Sequence, residues 1–330
     1  MPSVLVTGAN GFLGSAVCRT FLGSGVAVRG LTRTRDARLE PGVARFVAAD
    51  MTDSRALAPA VEGADAVIHL AGRAHISDTS GVENDQAFQR ANVDATEALL
   101  AAAVRGGVRR FLFTSSIKVM GTYPGRPWIE EDIPAPVDSY GRSKLAAETM
   151  LREAAEAGKI EVGTIRLPLV YGPGVKANML QLFKLVDARI PLPFRDTANR
   201  RSLVNLANVV DSLSTLLAAP RLRAGTFFVT DAEAVSTPAL IQMIGRALGK
   251  PARLFGVAPE WLSRIARLGD SVHGVFPLPF NAAALERLTG SLECSSAKIE
   301  TEFGFRPRWS TQHGIDETAR WYCGKRSTGN

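Results

Sequence analysis

Cysteine and histidine are scarce in this chain. Only 3 cysteines and 4 histidines occur among its 330 residues. The cysteines lie far apart, at Cys18, Cys294 and Cys323, and the histidines show no spacing that would let them share a metal ion. This usage excludes a disulfide framework and gives no ligand set for a metal. We therefore expect a cytoplasmic protein of a reducing compartment, with no bound metal.

Long apolar runs and tracts of one charge are missing as well. No uninterrupted apolar stretch approaches the ~18 residues of a membrane helix, and no basic segment of a signal peptide precedes the first apolar run at 4–6. The formal net charge is +7, but the 39 Lys and Arg residues are scattered and match no nucleic-acid-binding motif. We expect neither a membrane nor a nucleic acid as a partner. A basic balance without tracts suits small ligands that are rich in phosphate.

Strand and helix patterns alternate along the first half of the chain. Residues 3–7 form a β-branched apolar run, and an amphipathic pattern with helical spacing follows it. Further strands are predicted at 26–31, 44–48, 66–70, 109–114 and 161–166, and further helices at 54–61, 85–105 and 139–157. Alternation of this kind is typical of an α/β fold with a doubly wound parallel sheet.

A glycine-rich turn joins the first strand to the first helix. Its glycines are Gly8, Gly11 and Gly14, with Phe12 and Leu13 at the start of the helix. This order of elements binds phosphate in dinucleotide-binding folds, because glycine lets the backbone approach the pyrophosphate and the helix N-terminus favours its negative charge. The spacing is Gly-x-x-Gly-x-x-Gly and not the Gly-x-Gly-x-x-Gly fingerprint. A plain glycine-rich turn is therefore the alternative.

The end of the second strand bears on the choice of cofactor. In NAD-preferring sites an acidic residue near this point binds the ribose hydroxyls. Here the strand ends at Thr32, Arg33 and Arg35 follow, and Asp36 lies beyond the strand. A guanidinium suits a 2′-phosphate, so the sequence favours NADP(H) and leaves NAD(H) open. The alternative is that both arginines are ordinary loop charges.

Other predicted strand ends complete the candidate cofactor site. Asp50 and Met51 follow the strand at 44–48 and are predicted to contact adenine. The amide of Asn92 is expected to tie neighbouring strand ends together. His69 is predicted to be a packed strand residue and not a catalyst. The remaining predicted cofactor contacts are Leu70, Ala71, Gly72, Thr114, Leu167 and Val170.

The stretch 114–144 carries the predicted chemistry. Ser116 closes a strand, and Tyr140 and Lys144 lie four residues apart, on one face of a helix. A lysine ammonium beside a phenol favours the phenolate and lowers its pKa from about 10. We predict that Ser116 binds a carbonyl or alcohol oxygen while Tyr140 moves its proton. The Tyr-x-x-x-Lys pair alone is a weak signal, since a surface helix with a packed tyrosine and a solvated lysine also shows it.

The sequence changes character after Arg166. A loop rich in proline and glycine occupies 167–174. Beyond it, helices are predicted near 177–188 and 207–219, strands near 202–206 and 226–230, and mostly helix over 236–330. We therefore expect a dinucleotide-binding domain at 1–170, with interleaved elements near 202–230, and a smaller, mostly helical substrate-binding cap at 171–330.

Jointly these motifs resemble the extended short-chain dehydrogenase/reductases, the NAD-dependent epimerase/dehydratase family. The resemblance rests on the Gly8/Gly11/Gly14 loop, His69-Leu70-Ala71-Gly72, Ser115-Ser116, Tyr140-x-x-x-Lys144, the 166–174 loop and Trp321-Tyr322. It is strongest to nucleotide-sugar 4-epimerases and to the 4-ketoreductases that form UDP-N-acetylquinovosamine in bacterial surface-polysaccharide pathways. It implies an enzyme with a Rossmann-type fold, a nicotinamide dinucleotide and a UDP-sugar substrate.

The resemblance also implies individual roles. Ser116 and Tyr140 match the catalytic hydroxyl and the general acid/base, and Lys144 matches the lysine that binds the nicotinamide ribose and depresses the tyrosine pKa. Sugar 4,6-dehydratases of the family carry an Asp-Glu pair just after the catalytic threonine. Ile117 and Lys118 occupy those positions here, so dehydration is not expected.

Contacts to substrate and to a second subunit follow from the same resemblance. Asn178 matches a residue that contacts the UDP diphosphate or sugar, Arg201 matches a diphosphate-binding arginine, and Arg287 is a candidate second clamp. For each arginine the alternative is a surface salt bridge.

The helices at 85–105 and 139–157 pair in relatives to form a dimer, so a homodimer is expected. The small residues expected to allow close packing there are Ala101, Ala102, Ala103, Ala146, Ala147, Ala154 and Ala155.

The leading functional prediction is reduction of the C4 ketone of a UDP-4-keto-6-deoxy-N-acetylhexosamine, with Tyr140 as proton donor. The alternative is a UDP-sugar 4-epimerase, which uses the same three residues and retains NAD⁺ through its cycle. A non-catalytic dinucleotide sensor is a third possibility, because a fold alone does not establish catalysis. Relatives of that kind typically lose the tyrosine or the lysine, and both are present here.

Overall fold

A parallel sheet of seven strands forms the centre of the protein. The computed structural model describes residues 2–74, 82–222, 224–257 and 282–327. The strands in chain order are β1 (Ser3–Thr7), β2 (Ala27–Thr32), β3 (Ala44–Val47), β4 (Ala66–His69), β5 (Arg110–Ser116), β6 (Glu161–Leu167), β7 (Leu169–Tyr171), β8 (Leu203–Asn205) and β9 (Gly225–Phe228). The large sheet has the order β3-β2-β1-β4-β5-β6-β9, all parallel, and β7 pairs with β8 in a separate two-stranded sheet. The predicted α/β class with a doubly wound parallel sheet is confirmed.

Helices follow the strands and cover the sheet. Those described are α1 (Phe12–Gly23), α2 (Ser54–Val61), α3 (Val82–Phe88), α4 (Ala95–Arg105), α5 (Ser139–Glu156), α6 (Ala177–Asp187), α7 (Leu206–Ala218), α8 (Thr237–Ala247), α9 (Ala282–Thr289), α10 (Ala297–Phe303) and α11 (Thr311–Ser327). None of these helices, within the residues the structure describes, is long and apolar enough to cross a membrane.

The two faces of the sheet bury different helices. In β1, Val4 and Val6 point to one face and Leu5 to the other, because side chains alternate along a strand. The Val4 face packs on α1 and α7, and the Leu5 face packs on α2, α4 and α5. All three side chains are fully buried. A strand that is apolar on both faces is the expected result of helices on both sides of a parallel sheet.

The strand order reverses between β1 and β4. From β1 the chain runs outward through β2 and β3 on one side, and through β4, β5 and β6 on the other. Thr7 and His69 are register partners at the carboxyl ends of the two central strands. Ligands of open α/β sheets bind in the crevice outside such a reversal point. The topology therefore places the candidate site at the carboxyl edge, beside Thr7 and His69.

A third apolar cluster gathers residues from beyond the central sheet. It joins Phe183 of α6, Ile241 of α8 and Ile315 of α11 around Tyr171 of β7. Phe12, at the start of α1, packs against the same cluster. The second half of the chain is thus anchored directly over the glycine-rich turn.

Two elements differ from the sequence-based prediction. The helix predicted at 85–105 is interrupted by a π-helical segment, Gln89–Asp94, between α3 and α4. The loop predicted at 167–174 contains the short strand β7. Both differences have non-local causes, since buried Asn92 needs hydrogen-bond partners outside its own helix and β7 exists only through pairing with β8.

A buried carboxylate joins the last helix to the small sheet. Asp231 accepts hydrogen bonds from the Tyr171 hydroxyl at 2.6 Å, from the Asn205 amide at 2.8 Å and from the Asn208 side chain at 2.7 Å. The Tyr171 hydroxyl also donates to the carbonyl of Thr311, the first residue of α11, at 3.3 Å. Burial raises the pKa of Asp231, and these donors oppose that shift.

We predict that Tyr171→Phe lowers the free energy of unfolding by about 1–3 kcal/mol, because it removes a buried donor from Asp231. Urea unfolding measures the change. Tyr123→Phe is the matched control, since its half-buried hydroxyl makes no hydrogen bond that is seen in the described residues, and it should change stability by less than about 0.5 kcal/mol. Equal effects from both substitutions would contradict this account of the network.

Candidate functional site

The glycine-rich turn has the shape needed to hold a pyrophosphate. Gly8 has φ +64°, and the Gly11 amide donates to the Gly8 carbonyl at 2.8 Å. A Cβ at Gly14 would lie 2.0 Å from the Gly8 oxygen, so that position admits only glycine. No side chain caps the start of α1. Its free amides and its helix dipole fit an anion, and the turn therefore fits the diphosphate of a dinucleotide.

A directional chain of hydrogen bonds crosses the reversal point. The Thr7 hydroxyl accepts from the amides of Leu70 at 3.2 Å and Ala71 at 3.1 Å, so its own proton is directed to His69 Nδ1 at 2.7 Å. His69 Nε2 then donates to Thr96 Oγ1 at 3.0 Å, which donates to the Asn92 carbonyl at 2.6 Å. Burial lowers the pKa of His69 to about 3. His69 is therefore a neutral packing residue, and its prediction as a non-catalyst agrees with this geometry.

Asn92 links the loop after β4 to the helix that carries the tyrosine. Its side-chain oxygen accepts from the Arg73 amide at 2.8 Å, and its Nδ2 donates to the Arg73 carbonyl at 3.1 Å and to Ser143 Oγ at 2.9 Å. A Cβ at Gly72 would lie 2.9 Å from the Asn92 oxygen and 3.4 Å from Lys144 Nζ. The Asn92 amide therefore ties the loop after β4 to α5, and its predicted role in joining strand ends at the cofactor stays a prediction.

The predicted adenine-ribose end of the site lies beyond β2 and β3. The Thr32 hydroxyl donates to the Thr34 carbonyl at 2.9 Å, which turns it away from solvent. Arg33 is exposed at the strand end. The amide and hydroxyl of Thr52, and then Arg90 in an exposed ion pair of 2.6 Å, lower the pKa of Asp50. An adenine contact from Asp50 or from half-buried Met51 stays a prediction.

Ser116, Tyr140 and Lys144 meet at the carboxyl edge of the sheet. Ser116 ends β5, and Tyr140 lies in the first turn of α5. Ser116 is close enough to Tyr140 to lower the pKa of its phenol against the effect of burial. Lys144 donates from Nζ to the Thr114 carbonyl at 3.0 Å, and its ammonium lies 4.5 Å from the centre of the Phe113 ring. The three predicted catalytic side chains are therefore neighbours in space.

The titration of the pair differs from the prediction. Burial raises the pKa of Tyr140 to about 12, Ser116 opposes the shift, and the charge of Asp138 adds to it. Burial lowers the pKa of Lys144 to about 8, and Glu148 opposes that shift. The expectation that Lys144 depresses the Tyr140 pKa below its ordinary value is thus wrong for this structure. The physical reason is that the ammonium is directed at Thr114 and the Phe113 ring, while burial penalises the phenolate.

A buried ion pair lies one helical turn after Lys144 on α5. Glu148 lies four residues after Lys144 on α5 and pairs with Arg166 of β6, with Nη2 and Oε2 2.7 Å apart. Both side chains are 6% exposed. Removing one partner of such a pair leaves an uncompensated buried charge. The sequence did not predict the ion pair of Glu148 with Arg166. The four-residue spacing of Lys144 and Glu148 does place those two side chains on one face of α5.

The predicted substrate residues Asn178, Arg201 and Arg287 belong to the second half of the chain. Asn178 is exposed in the first turn of α6. Arg201 donates from Nη1 to the Gly290 carbonyl at 2.7 Å, and burial lowers its pKa. In the part of the chain that the structure describes, no carboxylate forms an ion pair with Arg201. The Arg287 side chain lies outside the described residues.

The remaining predicted contacts occupy the same edge. Thr114 donates from its hydroxyl to the His69 carbonyl at 3.1 Å. Leu167 ends β6 and is buried, while Val170 lies in β7 and packs on the core under α1. Within the described ranges, no group of three or more His, Cys, Asp or Glu side chains is placed to hold a metal ion.

We predict that Gly14→Ala abolishes measurable dinucleotide binding, because its methyl group would overlap the Gly8 carbonyl oxygen. Fluorescence titration with NADH and NADPH measures the loss. Gly23→Ala is the matched control on the same helix, since a Cβ there meets no atom within 4 Å. Undiminished binding by Gly14→Ala would show that the turn is not the phosphate site.

Known proteins share this architecture and sequence. The family model of the NAD dependent epimerase/dehydratase family matches residues 4–229. The UDP-glucose 4-epimerase of Vibrio cholerae is 35% identical over 322 residues, which cover 96% of this chain and 94% of that protein. These two matches extend over the glycine-rich turn and the Ser116, Tyr140 and Lys144 positions.

Solved structures agree with the same assignment. The UDP-N-acetylglucosamine 4-epimerase from Bacillus cereus superposes with a TM-score of 0.78 at 19% identity, over 98% of this chain and 97% of that one. MoeE5, solved with UDP-glucose and NAD, superposes with a TM-score of 0.74 at 25% identity, over 99% and 100% of the two chains. The chain therefore belongs to the NAD dependent epimerase/dehydratase family and is an enzyme that uses a nicotinamide dinucleotide.

Proposed function

We propose that this enzyme reduces the C4 ketone of a UDP-4-keto-6-deoxy-N-acetylhexosamine. The observation that carries the proposal is the meeting of Ser116, Tyr140 and Lys144 beside the glycine-rich turn, with Tyr140 protonated at neutral pH. Its pKa of about 12 keeps the phenol ready to donate a proton. Proton donation to a nascent alkoxide is the step that ketone reduction requires.

The chain's own residues divide the work at the ketone. When bound, the dinucleotide supplies the hydride for C4. Ser116 donates a hydrogen bond to the C4 oxygen and stabilises the negative charge that develops on it. Tyr140 transfers its phenolic proton to the same oxygen. Lys144, held at the Thr114 carbonyl, is proposed to bind the nicotinamide ribose when the dinucleotide is present.

Arg201 and Asn178 are proposed to hold the nucleotide end of the substrate. Burial lowers the pKa of Arg201, because its charged guanidinium loses contact with water. A bound anion would stabilise that charge. Arg287 is proposed as the second diphosphate clamp.

We further propose that residues 171–330 form the substrate-binding cap and that residues 1–170, with elements near 202–230, form the dinucleotide-binding domain. The cytoplasmic location stays a prediction.

Two positions argue against a dehydratase. Elimination of water needs a carboxylic acid and a carboxylate beside the catalytic hydroxyl, and Ile117 and Lys118 follow Ser116 here. Ile117 is buried, and the Lys118 ammonium is paired with Asp138 at 2.7 Å. Neither side chain supplies the acid or the base that the elimination requires.

A UDP-sugar 4-epimerase is the second candidate. The 35% identity to the UDP-glucose 4-epimerase of Vibrio cholerae favours it. Epimerisation would use Ser116 and Tyr140 at the same C4 oxygen, first to remove a proton and then to return it. That cycle starts from the phenolate, which the raised pKa of Tyr140 disfavours.

A homodimer is also proposed, through the outer face of α5. An apolar groove of about 450 Å³ lies there, lined by Pro136, Leu145, Ala146, Met150 and neighbouring polar residues. The alanines that the sequence suggested for this interface need correction. Ala102, Ala103, Ala147 and Ala154 are buried inside the subunit's own core, because they pack α4 and α5 on the sheet.

We predict that Tyr140→Phe lowers kcat/KM for a UDP-4-keto sugar by about 10²–10⁴-fold, because the proton donor is lost while the ring remains. Steady-state assays with purified enzyme measure the effect. Tyr123→Phe is the control, since no hydrogen bond of its hydroxyl is seen in the described residues, and it should leave kcat/KM unchanged. A Tyr140→Phe enzyme with full activity would contradict the mechanism.

We predict that the purified protein exchanges its dinucleotide freely and binds NADPH more tightly than NADH, because exposed Arg33 suits a 2′-phosphate. Denaturation followed by identification of the released dinucleotide, and titration of the apoprotein, measure both properties. Arg33→Ala should weaken NADPH binding about tenfold and leave NADH binding unchanged. Stoichiometric NAD⁺ retained through purification would contradict this proposal and favour the epimerase.

A further inference from the structure

One lysine touches both elements that present the catalytic hydroxyls. Lys118 belongs to a short 3₁₀ turn, Ile117–Val119, that follows β5 immediately after Ser116. Its backbone amide donates to Ser116 Oγ at 3.2 Å. Its ammonium donates to Asp138 Oδ2 at 2.7 Å. Asp138 is the N-cap residue immediately before α5, two positions before Tyr140.

The backbone of Lys118 also sets the distance between these elements. A Cβ at Gly141 would lie 2.6 Å from the Lys118 carbonyl oxygen. The first turn of α5 therefore rests directly on the main chain of Lys118, with no room for a larger residue than glycine. Because Gly141 follows Tyr140, this contact restricts how the start of α5 can move relative to the turn after Ser116.

Asp138 serves two partners at once. Its Oδ1 accepts from the Gly141 amide at 2.7 Å, which caps the helix, and its Oδ2 accepts from Lys118. The cap and the ion pair thus share one carboxylate. A movement of the Lys118 side chain is transmitted through Asp138 to the turn of helix that carries Tyr140.

The same carboxylate acts on Tyr140 through its charge. The negative charge of Asp138 raises the pKa of Tyr140, and the Lys118 ammonium bound to it has the opposite sign. The Lys118 side chain is 48% exposed and that of Asp138 is 24% exposed, so solvent weakens but does not remove the interaction. The charged groups near Tyr140 on the elements around it include Lys118 on the 3₁₀ turn, Asp138 at the N-cap of α5, Arg142, Lys144 and Glu148 on α5, and Glu83 and Asp85 on α3.

We propose that Lys118 is a positioning residue, which couples the Ser116 turn to the start of α5 through Asp138 and shields Tyr140 from the charge of that carboxylate. This inference rests on the proposed proton transfer by Tyr140. It gives Lys118 a task of its own at the position where the dehydratases of this family carry the glutamate of their Asp-Glu pair.

The pH profile of kcat/KM for the keto sugar separates this role from simple packing. Ketone reduction needs the protonated phenol and the charged lysine, so activity falls as pH rises through the first loss of a proton from the Tyr140–Lys144 pair. Lys118→Met leaves Asp138 uncompensated and should move this basic limb to higher pH by about half a unit. Asp138→Asn keeps the helix cap but removes the charge, and should move the limb to lower pH by a similar amount. The double variant should return the limb close to its wild-type position.

Positioning has its own signature in the same series. Lys118→Met should lower kcat about tenfold with little change in KM, since the substrate contacts are intact but the hydroxyls are misplaced. Lys118→Arg keeps the ion pair and should restore most of kcat. Arg306→Met is the control, because it removes an exposed ion pair with Glu300 of the same 2.7 Å length outside the site and should change neither kcat nor the limb.

Two failures are distinguishable. If wild-type enzyme turns over the keto sugar but Lys118→Met and Asp138→Asn leave the limb in place, or move it in one direction, the role of Lys118 is wrong and the proposed function stands. If wild-type enzyme reduces no UDP-4-keto sugar, the proposed function fails, and the inference about Lys118 fails with it.

Discussion

The hydrogen-bond chain through His69 is the constraint on which the site depends. It lies where the strand order reverses, and each of its members is buried. Thr7 directs one proton to His69, and His69 directs the next to Thr96 and the Asn92 carbonyl. A buried chain with one consistent direction leaves no donor or acceptor unpaired along it. It joins β1, β4 and the π-helical segment, which are the elements that surround the cofactor edge.

The electrostatics of the site follow from burial around this frame. Lys144 is 5% exposed, and its ammonium is kept at the edge by the Thr114 carbonyl, the Phe113 ring and the nearby charge of Glu148. Tyr140 is protonated at neutral pH because burial disfavours its phenolate. The resting protein thus holds a protonated phenol near a lysine whose ammonium is directed at the Thr114 carbonyl and the Phe113 ring. A protonated phenol is the form that the proposed ketone reduction requires.

Much of this was predictable from sequence, and the reasons are local. Alternating apolar patterns predicted the strands of the large sheet, and Gly8, Gly11 and Gly14 predicted the phosphate turn. The helical spacing of Tyr140 and Lys144 placed both on one face. The π-helical segment around Asn92 and the strand β7 were not predictable, because each is stabilised by partners distant in the chain.

The electrostatic details also escaped sequence reasoning. Proximity of a lysine to a tyrosine suggested a depressed phenol pKa, but the direction in which the Lys144 ammonium points is set by β5. The pairing of Lys118 with Asp138 joins residues 20 positions apart and leaves no periodic signal. Arg201 was found from its resemblance to a known motif, whereas its lack of an acidic partner among the described residues became visible only in three dimensions.

The most direct test of the account is the stoichiometry of a reaction with UDP-4-keto-6-deoxy-N-acetylhexosamine and NADPH. We would measure the dinucleotide oxidised and the sugar alcohol formed in the same sample. The account predicts one mole of NADPH consumed for each mole of sugar reduced. Interconversion of UDP-sugar epimers with no net change in the dinucleotide would contradict it and assign the same three residues to epimerisation.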